Sequence, residues 1–481
     1  MSGRPVILRE NPARVAEVVG RVDAVVRNIP DRVDDAVRDA HRAFRSWSSV
    51  SPDDRRALLA RAADALADEL DELATLMALE IGKPLADCRG ELGFAVKYLH
   101  WVLDHTPVPD RVVDDADGRL VVQHKPYGVV VAVTPWNAPV ILAMLKIAPA
   151  LAAGNAIIVK PSPLGPLTID RVIRIMRACL PDGVLRALHG HAPLVAALTT
   201  HRLVRKVAFT GGETAGRAIA TAAADHLIPT VMELGGNDPA VFLDDFVPDD
   251  AAMDRLVLAS LATSGQVCMA AKRLYVPRAL LASFVSAYEA AAQRVAVLGD
   301  PLTPGVTVGP MISADARSHA TDLLMSALSA GTPVPLGTSV ADLSAGHFVE
   351  PVLVVSPSPD AALLREEQFA PLVPLVPYDT EAQALSWAND DDLGLGASVW
   401  SADEERAFAF AREVEAGFVF VNTHNRTGMS LRAPFGGVKR SGWGREYAEE
   451  GLAEYVQPCV IHAPGPFRPG GAGLPPGAYP P

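Results

Sequence analysis

Apolar positions along the chain change period twice. Residues 31–105 carry them at helical spacing, with abundant Ala and Leu over 55–76, and Asp31 stands where it can cap the first helix. A Pro- and Asp-rich connector then leads to a short, half-exposed strand at 120–124. Beyond it, short β-branched runs alternate with helical segments. Strands are predicted at 129–133, 156–159, 185–188, 206–209 and 230–234, and helices at 140–152, 168–179, 193–199 and 214–224. Five strands alternating with helices imply parallel βαβ units in a doubly wound α/β sheet, which binds ligands beyond its C-terminal strand ends. A second βα series runs from about 236 to 435, with strands at 240–243, 273–276, 372–377 and 418–422 and helices at 251–263 and 280–297. The Pro- and Gly-rich stretch 464–481 has no period and reads as a flexible or surface-laid extension.

With 481 residues the chain exceeds what one core usually organises, so two or more domains are expected. The net charge of −13 argues against a nucleic-acid partner, which needs a clustered basic surface. No apolar run approaches the roughly 18 residues of a membrane span, and residues 1–30 lack the apolar core of a secretory signal. Cys88, Cys179, Cys268 and Cys459 are scattered without metal-type spacing, which suits free thiols in the reducing cytoplasm. Cys88, Cys179 and Cys459 read as inert buried thiols. His100, His189, His191 and His424 have no ligand-like spacing, and no metal is expected.

The chemistry centres on Ser264-Gly-Gln-Val-Cys268 and Met232-Glu-Leu-Gly-Gly-Asn237. A cysteine opening a predicted helix meets backbone N–H groups that favour thiolate. Glu233, closing an apolar strand, can take its proton or activate a water, and the two together suggest covalent catalysis through a thio-adduct. Thr210-Gly-Gly-Glu-Thr-Ala-Gly216 follows a strand and opens a helix, as a phosphate site or a plain tight turn does. Lys160, in Lys160-Pro-Ser-Pro163, can bond ribose hydroxyls or stand solvated at its strand end. Asn137, in Thr134-Pro-Trp-Asn137, can donate to an oxyanion or bond a loop carbonyl.

Taken together, Pro135-Trp-Asn137, Lys160-Pro-Ser162, Phe209-Thr-Gly211, Glu233-Leu-Gly-Gly236, Gly265-Gln-Val-Cys268, Glu366-Glu-Gln-Phe369 and Pro434-Phe-Gly-Gly437 resemble the NAD(P)-dependent aldehyde dehydrogenase superfamily. The motifs keep the family's order and span roughly 30–462. The resemblance implies a Rossmann-like cofactor domain (1–106 and 127–234), a second α/β catalytic domain carrying the nucleophile (235–440), and a small β oligomerisation element (107–126 and 447–462), followed by a tail (463–481). It implies Cys268 as nucleophile, Asn137 and the Cys268 N–H as oxyanion hole, Glu233 as general base and Lys146 near the proton relay. NAD or NADP would bind along Thr134, Pro135, Trp136, Lys160, Ser162, Pro163, Gly190, Phe209, Thr210, Gly211, Gly212, Leu234, Gly235, Glu367 and Phe369. Glu367 would hold the nicotinamide ribose. The substrate walls would include Ala138, Ile141, Leu145, Val267, Met269 and Phe435, plus the loop 423–431.

The reaction so implied is oxidation of an aldehyde to the free acid through a thiohemiacetal and a thioester. Glu233 argues against a CoA-acylating or reductive relative, and the intact Cys268, Glu233 and Asn137 argue against a silent scaffold. Two positions depart from many relatives. Pro163 stands where NAD-preferring members carry a glutamate, which removes the charge that would repel a 2′-phosphate, so dual use or NAD preference is expected. Gly212 stands for a serine, at a cost of about 1 kcal/mol in cofactor binding. The apolar walls suggest an uncharged, fairly bulky aldehyde, while Arg426 and Arg432 could bind a carboxylated one. Edge strands near 108–125 and 453–461 point to a homodimer or homotetramer.

Overall fold

The computed structural model describes residues 5–340 and 342–465. A six-stranded sheet runs in the order Gly442–Trp443, Thr230–Glu233, Val204–Thr210, Val129–Thr134, Ala156–Pro161, Leu185–Ala187. All its pairings are parallel except that of Gly442–Trp443 with Thr230–Glu233. The chain leaves the central strand Val129–Thr134 first to one side and later to the other, which creates a switch point beside Val204–Thr210. Every residue of Val129–Thr134 is buried because the two faces carry separate cores. Val130 and Ala132 pack with the helices Pro139–Ala152 and Pro166–Ala178, whereas Val129, Val131 and Val133 pack with Ile29–Trp47 and Ala192–Thr199.

Register then does the functional work. Val133 pairs with Lys160 and with Phe209, Thr134 with Pro161, and Thr210 with Glu233. Lys160, Thr134, Thr210 and Glu233 therefore end on one edge of the sheet. A seven-stranded sheet follows the order Thr332–Pro335, Val352–Val355, Leu372–Tyr378, Arg273–Pro277, Pro239–Phe242, Gly396–Trp400, Phe418–Val421. Only its first pair is antiparallel. A three-stranded antiparallel sheet joins Val456–Pro464, Gly118–Pro126 and Arg111–Asp115.

Sequence and structure part company in several places. Asp31 lies in the first turn of Ile29–Trp47, and the cap position belongs to Asn28 in left-handed geometry without a side-chain bond. The segment 55–76 is two helices, Pro52–Asp68 and Leu70–Ile81, separated at Glu69. The hairpin Val6–Asn11 and Arg14–Asp23 has no clear period-2 signal, because only Ile7, Asn11 and Val22 along it are buried. Val352–Val355 and Gly396–Trp400 complete the second sheet and were likewise not read from sequence. The tail boundary moves, because Ala463 and Pro464 belong to the last strand; residues 466–481 lie outside the described residues.

Candidate active site

The edge of the first sheet opens on a crevice of about 490 Å³ lined by Thr134, Pro135, Trp136, Lys160, Ser162, Pro163, Phe209, Thr210, Gly211 and Gly212, as the motifs suggested. Gly212 is the N-cap of helix Glu213–Ala224, so unpaired N–H groups and the positive dipole end meet whatever anion lies there. Among the described residues lining this crevice, none is acidic. Burial without a carboxylate partner lowers the Lys160 ammonium to about 8. An unbalanced cation beside a helix N-terminus fits a dinucleotide's phosphates and ribose. Gly190 does not line the crevice; a Cβ there would meet Leu194 at 2.8 Å and the Val25 carbonyl at 3.0 Å, so it is a packing position. His191, Ala192, Val195, Ala196 and Thr199 line it instead, and no motif had pointed to them.

A smaller cavity of about 190 Å³ continues inward, lined by Trp136, Asn137, Gly211, Leu234, Gly235, Cys268, Glu367 and Phe369, among others. Cys268 also lines a third cavity of about 320 Å³ on the substrate side. The sulfur residue thus stands between the two spaces. It does not open a helix. Thr263, Ser264 and Gly265 take positive φ values of 52°, 59° and 71°, which end the preceding helical turn and send 266–272 into a loop before Arg273–Pro277. A Cβ at Gly265 would lie 2.1 Å from the Ala370 carbonyl, so only glycine fits that bend. With no helix dipole behind it, the thiol is pushed up to about 12 by burial and by Glu367, Asp238 and Glu233, against a downward pull from Lys272.

Asn137 donates one amide hydrogen to the Gln266 carbonyl at 2.9 Å, which ties it to the loop that carries Cys268. The loop-carbonyl reading is therefore met, and the second N–H is left over for an oxyanion. Glu233 is buried, neither carboxyl oxygen has a hydrogen-bond partner, and burial together with nearby Glu446 holds its pKa well above the ordinary range. A Cβ at Gly436 would come 2.7 Å from the Gly444 carbonyl oxygen and 2.9 Å from the Glu233 Oε1, so a glycine stands there. Lys146 is fully buried and donates to Glu446 Oε1 at 2.6 Å and to Thr210 Oγ1 at 2.7 Å. Glu446 was missed from the sequence. It sits 300 positions from Lys146, in a stretch that carries no motif.

The third cavity is lined by all six expected wall residues, Ala138, Ile141, Leu145, Val267, Met269 and Phe435, with Phe94, Met429 and Tyr447. Those six are all apolar, but Lys83, Asp87 and Glu91, which no motif had pointed to, also line the cavity. Lys83 pairs with Glu91 in full burial, and Glu91 accepts from the Val140 and Ile141 N–H groups at 2.8 and 3.1 Å. That carboxylate caps a helix with no side-chain cap of its own. Arg426 lines the cavity and pairs with Asp87 at 3.0 Å, whereas Arg432 is not among the lining residues. Of the remaining thiols Cys88 is buried, but Cys179 and Cys459 are only half-buried, because one closes a helix and the other lies on an edge sheet.

Residues 4–461 match the model of the aldehyde dehydrogenase family. The chain is 35% identical to the succinate-semialdehyde dehydrogenase of Paenarthrobacter nicotinovorans, over 90% of this chain and 96% of that one. It is 34% identical to the NADP+-dependent succinate-semialdehyde dehydrogenase of Escherichia coli, over 88% of each chain. The crystal structure of aldehyde dehydrogenase C from Pseudomonas syringae with NAD+ and octanal superposes with a TM-score of 0.89 at 30% identity, covering 97% of this chain and 95% of that one.

Proposed function

The chain belongs to the aldehyde dehydrogenase family and oxidises aldehydes to carboxylic acids with NAD(P)+, and on that premise we propose its mechanism and its substrate class. Cys268 attacks the aldehyde carbonyl, and the developing oxyanion is met by the free Asn137 N–H and the Cys268 backbone N–H. The cofactor, when bound, accepts the hydride. Glu233 takes a proton from the water that hydrolyses the thioester, and Glu446 with Lys146 carries that proton away from the buried carboxyl. Glu367 and Phe369 hold the nicotinamide end, Lys160 and Ser162 the ribose end. The single observation carrying this reading is that Cys268 borders both the cofactor-side and the substrate-side cavity.

The substrate is an uncharged aldehyde with an apolar chain or ring. Among the described residues of the substrate cavity, both cations, Lys83 and Arg426, already have carboxylate partners, so a carboxylated aldehyde finds no free positive charge. The semialdehyde dehydrogenases to which the chain is similar favour a second reading, in which half-exposed Arg426 takes the substrate carboxylate. A panel of aldehydes with each nicotinamide separates the two. The expected result is a kcat/KM for hexanal or benzaldehyde at least about tenfold above that for succinate or glutarate semialdehyde, on the scale of one desolvated unpaired charge contact. The reverse order sinks the uncharged-substrate reading.

In this reading the six-stranded sheet belongs to the cofactor part, the seven-stranded sheet to the catalytic part and the three-stranded sheet to the oligomerisation part. The small sheet leaves Val112, Val113, Val460 and Ile461 exposed, which supports pairing with a second copy into a homodimer or homotetramer. Light scattering of a size-exclusion peak at the monomer mass would exclude that assembly. Free cysteines support a reducing, cytoplasmic setting.

A further inference from the structure

Lys272 lies four residues after Cys268 and belongs to none of the motifs. Its backbone N–H and that of Arg273 donate to the Asp238 carbonyl at 3.0 and 3.2 Å, which fixes where the side chain starts. The side chain is buried, and its ammonium uses three donors on three different segments: the Gly236 carbonyl at 2.6 Å, the Cys268 carbonyl, and Glu367 Oε1 at 3.0 Å. It also lies 6.0 Å from the centre of the Phe369 ring, which meets Trp136 edge-on. The nucleophile loop, the glycines after Glu233 and the wall of the inner cavity thus converge on one cation.

We propose that Lys272 is a positioning residue that ties the Cys268 loop to the Glu367 carboxylate and supplies the positive charge beside the nucleophile. The inference rests on the reading of Cys268 as nucleophile and Glu367 as the nicotinamide-ribose ligand. Helix-derived charge is missing here, since Cys268 stands in a loop. The groups whose charge reaches the thiol are Lys272, Glu367, Asp238 and Glu233, with the buried Tyr447 hydroxyl nearby. Three of these are acids that oppose a thiolate, and Lys272 is the cation that offsets them. Its hydrogen bond to Glu367 Oε1, which also accepts from the Gly236 N–H at 3.3 Å, holds that carboxylate at the wall of the inner cavity.

Charge and packing roles are separated by opposite signs. Lys272→Gln keeps an amide that can donate to the two carbonyls but removes the charge, and Glu367→Gln removes the opposing charge. The rate of Cys268 alkylation by iodoacetamide is read on the cofactor-free protein at neutral pH, located by peptide mass with Cys268→Ala as blank. Lys272→Gln is expected to slow it about tenfold, the equivalent of one pKa unit in thiolate population, and Glu367→Gln to speed it several-fold. NAD+ affinity, followed by tryptophan fluorescence, is expected to fall in both, because each disturbs the same ribose ligand. An unchanged or faster alkylation in Lys272→Gln, movement of both variants in one direction, or unaltered NAD+ binding overturns the proposal. Retention of turnover by Cys268→Ala would instead remove the nucleophile reading beneath it.

Discussion

The crevice that holds Lys160 and the cavity behind Cys268, with the smaller inner cavity between them, treat charge in opposite ways. In the crevice, Lys160 is buried without an acidic partner and its ammonium is held near 8. In the substrate cavity, Lys83 is matched by Glu91 and Arg426 by Asp87. A buried cation left unbalanced costs free energy that an incoming anion recovers, whereas a cation already paired has little left to give. On the proposed reading, the first space suits phosphates and ribose and the second a neutral molecule.

Removing Cys268, which stands between the inner cavity and the third one, has the largest expected effect. Cys268→Ala should lower kcat by at least about 10⁴-fold, while NAD+ titration stays near that of the unmodified protein. Asn137→Ala comes next, with kcat down about 10²- to 10³-fold in steady-state assays, the scale of one oxyanion donor. The charge contrast itself can be broken with Asp87→Ala, which frees Arg426. The ratio of kcat/KM for succinate semialdehyde over hexanal should rise about tenfold; no change would place Arg426 outside the substrate's reach.

Titration sharpens the same contrast from the cofactor side. Because the Lys160 value is lowered from 10.5 to about 8, its charge is present below that pH and lost above it. The ratio of NADP+ to NAD+ affinity should therefore fall, by up to about tenfold, as pH rises from 7 to 9, and Lys160→Met should abolish the slope. The smallest effect is expected at Gly212, where a Cβ meets nothing within 4 Å. Gly212→Ser should tighten cofactor binding about fivefold by calorimetry, one hydrogen bond's worth.

Legibility followed the same divide. The crevice is built from the ends of consecutive strands and the turns after them, so local runs such as Val129–Thr134 and Ala156–Pro161 marked both the elements and the residues that line it. Glu446, the ion-pair partner of Lys146, the wall residue Phe94 and the pairing Arg426–Asp87 join segments far apart in the chain, and nothing in their local sequence marks them or the pairing Lys83–Glu91. The misplaced helix at Cys268 has the same origin. Positive φ values at Thr263 and Ser264 are imposed by tertiary packing, since neither residue type signals them.

By itself the sequence determined the βα alternation and the glycine turns, and it singled out Cys268 and Glu233 as candidates, because periodicity and turn chemistry act over a few neighbouring residues. Only the tertiary structure decided which charges are matched, where the thiol stands relative to helix ends, and which ammonium faces it. Those depend on burial and on distances between remote segments, and electrostatic free energy in a low-dielectric interior is set by such distances.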